Sequence, residues 1–88
     1  MIIELKKFGD TLISRQAGRE AFAAFQPTLR ALGPAENIEV SFEGVLTFSP
    51  SWADEFLTPL IKKFGDRVHV LPSDNLSVRA TMEILQKT

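Results

Sequence analysis

The sequence predicts a small α/β domain in which a mixed β-sheet carries helices, with the elements in the order ββαβαβα. Three observations lead there. Residues 2–7, 38–42 and 67–71 alternate apolar and polar side chains, the period of a half-buried strand. Around them lie three longer stretches with apolar residues at helical spacing, and helices between extended segments imply parallel strands joined by right-handed crossovers. The 88 residues are 44% apolar, and a chain this short places nearly every large apolar side chain in one core, so residues 1–88 read as a single domain.

The chain opens with Ile3 and Leu5 on one side and Ile2, Glu4 and Lys6 on the other, reaches Phe8-Gly9-Asp10, and resumes at Thr11-Leu12-Ile13. Two short runs around a Gly-Asp pair read as a hairpin, because glycine takes the positive φ of a tight turn. Ser14 then caps a helix with Ala17, Ala21, Phe22, Phe25, Leu29 and Leu32 on one side and Gly33-Pro34 as its stop. Pro27 removes one helical hydrogen bond and predicts a kink or a break near Gln26. Ile38 to Phe42 is a strand with Ile38, Val40 and Phe42 on the core. The Val45 to Pro50 connector is too apolar for a free loop and should lie against the body.

Ser51 opens the second helix, with Asp54 in the capping-box position and Trp52, Ala53, Phe56, Leu57, Leu60, Ile61 and Phe64 on its apolar stripe. Asp54 and Glu55 near its start and Lys62 and Lys63 near its end complement the macrodipole, Pro59 kinks it, and Gly65 closes it. Arg67 to Leu71 reads as a second central strand ended by Pro72. Ser73-Asp74-Asn75 caps a last helix that runs to about Lys87. The pentapeptide Lys-Lys-Phe-Gly-Asp occurs at Lys6 and again at Lys62. Its neighbours share no pattern, so the repeat reads as coincidence, with glycine serving a hairpin in one copy and a helix end in the other.

Composition excludes several chemistries. Without cysteine there is no disulfide, no thiol nucleophile and no thiolate metal site, and a reducing, cytoplasmic location fits. Ten basic against 11 acidic residues, with no basic block, argue against nucleic acid or an anionic membrane as partner, and no apolar run or leader pattern points to a membrane. The five isolated glycines form neither a dinucleotide fingerprint nor a P-loop, so no cofactor is expected. His69 is the lone histidine and alternates with Val68 and Val70, which suits a packed or rim side chain better than a catalytic one. Asp54, Glu55 and Asp74 are accounted for by helix starts. Asn75-Leu76-Ser77 has the form of a glycosylation sequon and reads as a capping turn.

The stretch from Ser41 to Leu57 stands out: a strand, an apolar connector, and a serine turn delivering a helix N-terminus. Free N–H groups and the dipole favour an anion there, and a phosphate on a serine of the turn would change the surface. Capping alone also accounts for Ser49 and Ser51. Trp52 is a core anchor if buried and a contact hot spot if exposed.

Phe48-Ser49-Pro50-Ser51-Trp52-Ala53-Asp54-Glu55, with Phe8-Gly9-Asp10, Leu12-Ile13-Ser14-Arg15, Ala17-Gly18 and Val68 to Leu71, resembles the bacterial STAS-like domain family, related to anti-anti-sigma factors. The resemblance implies a non-enzymatic regulatory or partner-binding domain whose partner is a histidine-kinase-like ATPase or kinase. Such ATP-binding proteins are often encoded beside this branch. It further implies a phosphoacceptor turn of the form Asp-Ser-Ser/Thr-Gly. Aligned here, the acid falls on Ser49, the acceptor on Pro50, the next hydroxyl on Ser51 and the glycine on Trp52, so a one-residue slip would make Ser49 or Ser51 the acceptor. The expected contact surface is therefore Phe48, Ser49, Ser51, Trp52, Asp54 and Glu55. The alternative is a sensor of a small nucleotide or phosphate at the helix N-terminus after Ser49-Pro50-Ser51. Oligomeric state stays open, with a homodimer through an edge strand of the hairpin as one form.

Overall fold

The computed structural model describes residues 1–86. Five strands and three α-helices follow in the order β1 (Ile2–Glu4), β2 (Thr11–Leu12), α1 (Arg15–Arg30), β3 (Ile38–Ser41), β4 (Thr47–Phe48), α2 (Pro50–Phe64), β5 (Val68–Val70) and α3 (Leu76–Gln86). The α/β class stands, and every strand pair among the described residues is parallel. The strands divide into two small sheets, β1-β3-β5 and β2-β4. Thus β3 is the central strand and β5 lies at an edge, where the sequence had suggested a second central strand. The expected helix end at Lys87 lies outside the described residues.

The N-terminal hairpin does not form. A 3-10 helical turn, Leu5–Phe8, separates β1 from β2 and ends at Gly9, whose φ is 128°. That turn sends Leu5 into the core and Phe8 against Phe25, Trp52 and Phe56, so burial of two large side chains outweighs a local strand pairing. β1 pairs instead with β3, in the register Ile3 to Val40, and β2 pairs with β4, in the register Leu12 to Phe48. The alternation in β1 and β3 is obeyed: Ile3, Ile38 and Val40 are buried, while Ile2, Glu4 and Glu39 are exposed; in β5, His69 is exposed between half-buried Val68 and Val70.

Both long helices run unbroken through their prolines. In α1 the carbonyl left without its usual donor by Pro27 belongs to Ala23, and both residues are exposed, so water can satisfy it. Gln26 turns its side-chain amide back to the Phe22 carbonyl at 3.1 Å. Gly18, Ala21, Phe25 and Leu29 form the buried stripe of α1, whereas Ala17, expected on it, is exposed. Trp52, Ala53, Phe56, Leu57 and Leu60 form that of α2. The rings of Phe8, Phe22, Phe25, Phe42, Phe48, Trp52 and Phe56 make one connected cluster between sheet and helices.

At Gly18 the two helices come closest. A Cβ there would lie 2.6 Å from the Trp52 carbonyl oxygen and 3.2 Å from Glu55 Cβ. Only glycine lets the α2 backbone approach that near. No helix of the described residues is long and apolar enough to cross a membrane.

Candidate functional site

Two short parallel strands deliver two helices side by side. After β2, Ser14 caps α1 by accepting the Ala17 N–H at 3.0 Å. After β4, Ser49 caps α2 by accepting the Trp52 N–H at 3.4 Å. The helix begins at Ser49-Pro50, two residues before the expected Ser51 cap. The reason is local: Pro50 brings a φ already suited to the first helical position, and the Ser49 hydroxyl lies where the free amides begin. Asp54 consequently falls beyond the first turn, and no capping box forms.

Ser49 is also tied to the neighbouring strand end. Its amide donates to the Leu12 carbonyl at 3.0 Å and its hydroxyl donates to the Ile13 carbonyl at 2.7 Å. The hydroxyl therefore has its proton and a lone pair engaged, and modification of Ser49 would break the cap and the bridge together. Ser51 lies one residue into the helix, half-buried. It borders a shallow groove of about 250 Å³ with Arg15, Pro50, Asp54, Ile84 and Leu85.

Phe48 and Trp52, expected at the contact surface, are 2% and 1% exposed. Trp52 stacks on Phe56 with centroids 5.0 Å apart and meets Phe48 at 5.8 Å and Phe8 at 6.0 Å. Of the two roles weighed for Trp52, it fills that of core anchor. Neither ring offers a face to a partner; both hold the turn from beneath.

Asp54 and Glu55 face α1. Arg15 donates to Asp54 at 2.9 Å and to Glu55 at 3.4 Å, and Arg19 donates to Glu55 at 3.1 Å. The Arg15 hydrogen bond, supported by the Thr58 hydroxyl, holds the Asp54 carboxyl below its ordinary value; in turn Asp54, then Glu55, raise Arg15. These acids join two helices across the Gly18 contact, a role that replaces the expected complement to the α2 macrodipole.

The first turn of α2 offers little to an anion. Pro50 has no N–H, the Trp52 amide is taken by the Ser49 hydroxyl and the Ala53 amide by the Ser49 carbonyl, so at most the Ser51 amide faces a ligand. His69 lies exposed on β5, in the other sheet. No group of three or more acidic or histidine side chains suited to a metal ion occurs among the described residues.

The exposed residues of the site are partly new. Ile13 is 50% exposed beside the Ser49 bridge, and Ile84 is 49% exposed on the groove by Ser51. Arg15 and Arg19 were also missed. Their signal was present in Leu12-Ile13-Ser14-Arg15, which rhymes with Thr47-Phe48-Ser49-Pro50 as a strand end, a serine cap and a helix start.

The last helix reaches this site through its polar side chains. Ser77 accepts the Phe48 N–H at 3.1 Å, and Thr81, one helical turn on, donates to the Phe48 carbonyl at 2.9 Å. Asn75 caps α3 by accepting the Val78 N–H at 3.1 Å and donates to the Val45 and Leu46 carbonyls. The asparagine of the apparent sequon thus serves as the capping turn the sequence suggested.

Parallel strands carrying serine-capped helices define a small α/β domain whose recognisable feature is the Phe48 to Glu55 turn. The chain belongs to the family described as a STAS-like domain of unknown function, whose family model matches residues 18–77. No curated protein and no solved structure gave a match.

Proposed function

We propose that this STAS-like domain is a non-enzymatic regulatory module that binds a protein partner through the surface around Ser51. The partner is a histidine-kinase-like ATPase, the class that the family resemblance implies. The observation that carries the reading is exposed Ile13 beside the Ser49 bridge and exposed Ile84 on the groove of Ser51, whose hydroxyl makes no hydrogen bond among the described residues. Aliphatic side chains at half exposure beside an uncommitted hydroxyl suit a contact made by shape and a few polar groups.

Ser51 is also the residue of the turn at which a phosphate would least disturb the cap. At the second position of α2 it would meet the dipole and Arg15, and it would compete with Asp54 for that guanidinium. The test is affinity capture from native lysate with mass-spectrometric identification, using wild type, Ser51→Glu, Ile84→Asp and, as a remote control, Leu76→Asp. An ATP-binding protein retained by wild type and by the control, and lost with Ser51→Glu and Ile84→Asp, supports the reading. Retention of no ATP-binding protein, or equal retention by all four, overturns it.

A further inference from the structure

The edge of the β2-β4 sheet is closed in an unusual way. Its strands are two residues long, and the outward N–H and C=O of Phe48 meet the Ser77 and Thr81 hydroxyls where a third strand would normally pair. With the Asn75 amide on the carbonyls of Val45 and Leu46, the start of α3 makes four hydrogen bonds to the backbone of residues 45–48. The helix also packs on α2, with Met82 and Leu85 partly buried against the core. Only Val78 and Thr81 of α3 are buried, against five residues of α2 and four of α1.

The rest of α3 is half-buried or exposed. Grooves of about 490 and 560 Å³ flank it, one bordered by Val70, Arg79 and Met82, the other by Thr58, Ile61 and Leu85. Leu76 is 79% exposed, and Leu71–Asn75, which leads into the helix, has no regular structure. Elements with few buried apolar side chains open well below the free energy of global unfolding.

We infer that α3 is a detachable strap that closes the β4 edge and opens as a unit while the β1-β3-β5 sheet, α1 and α2 stay folded. Opening bares the backbone of Phe48, immediately before the Ser49 cap, and turns a closed edge into one able to accept an extended segment. It withdraws Val78 and Thr81 from the interior and Met82 and Leu85 from its margin. The inference is independent of the partner reading, since it concerns the free domain.

Native-state hydrogen exchange on the full chain tests it. The amides of α3 and the Phe48 amide are expected to exchange together, on the order of 100-fold faster than those of α2 and β3. Thr81→Val removes the hydroxyl from the Phe48 carbonyl at nearly constant volume. It should speed exchange of α3 and Phe48 by roughly tenfold and leave α2 and β3 unchanged. Exchange of α3 at the same rate as α2 and β3, or an equal effect of Thr81→Val on all of them, overturns the inference. Should Thr81→Val fold poorly, Ser77→Ala, which frees the Phe48 amide and removes the Ser77 hydrogen bond to the Asn75 side chain, must produce the same local pattern.

Discussion

Gly18→Ala sets two effects of known sign against each other. In an isolated helix alanine is better than glycine by about 1 kcal/mol. In this domain the new methyl carbon would stand 2.6 Å from the Trp52 carbonyl oxygen and 3.1 Å from Trp52 Cα. That is about 0.7 Å inside a close C···O approach of about 3.3 Å. The obstacle is backbone, held by the Ser49 cap and by Trp52 stacked on Phe56, so no side chain can swing aside. The helices must part by some tenths of an ångström along the seam, and a gap of that size forfeits a quarter or more of each contact's dispersion energy. Overpacking of a filled interior costs about 1–3 kcal/mol. Because the clash is with main chain, the upper half of that range applies, leaving a net loss of about 1–2 kcal/mol after the propensity gain. For a domain of this size that lowers Tm by roughly 5–15 °C. Thermal unfolding followed by far-ultraviolet circular dichroism and by Trp52 fluorescence measures it. Ala24→Gly, at an exposed position of the same helix, calibrates the propensity effect at about 1 kcal/mol. A Gly18→Ala protein as stable as wild type, or more stable, would refute the close contact.

Trp52→Ala should remove about 3–5 kcal/mol, a large part of the roughly 4–13 kcal/mol expected for a domain of 88 residues, and chemical denaturation should show it largely unfolded. Ser49→Ala is expected to lose about 1–2 kcal/mol with the cap and the Ile13 bridge, whereas Ser51→Ala should stay within about 0.5 kcal/mol of wild type; urea midpoints separate them. Asp54 is depressed in the folded state by Arg15, so its contribution is present above the ordinary carboxylate value near 4 and is lost as pH falls through the lower folded value. Urea midpoints of wild type and Asp54→Asn should therefore differ at neutral pH and converge on acidification. Glu36, lowered by the Met1 ammonium and the Gly33 amide, leaves a residual slope in both proteins.

The elements legible in the sequence were those set by local chemistry. Ser14 caps α1, the alternation from Ile38 to Val40 faces the core, and Gly65 ends α2 with φ of 56°. What failed depended on partners distant in the chain. Nothing near Gly9 tells a hairpin from a 3-10 turn until Phe8 has Phe25, Trp52 and Phe56 to pack on. The two Lys-Lys-Phe-Gly-Asp copies, read as doing different work, both end a helical turn at a positive-φ glycine. The same local signal acted at both places, while the flanks decided what followed.

At the candidate site the serine turn was visible, and the division of labour within it was not. Pro50 favours Ser49 as the cap, but the second task of its hydroxyl depends on the Ile13 carbonyl, just past β2 and 36 positions earlier. Trp52 at helical spacing with Phe56 pointed to the core and is buried there. Asp54 and Glu55 looked like helix-start acids because their partners, Arg15 and Arg19, lie on another helix. Ser77 and Thr81 carried no sign of their role, since a hydroxyl closing a strand edge resembles any polar residue on a helix.

The loss of the hairpin changes how this chain must find its structure. A hairpin would have supplied one strand pair closing over a few residues. Instead Ile38 pairs with Val68, Thr11 with Thr47 and Ile2 with Glu39, so each ladder waits on closure of a loop of thirty residues or more. Loop closure of that length precedes any reward from the contacts it makes, which places this small domain among the slower folders of its size. The meeting of α1 and α2 is no more local: Gly18 touches Trp52 across a comparable length of chain, so the helix pair and the ladders alike wait on long-range closure, and only the serine caps of the two helices are set by near neighbours.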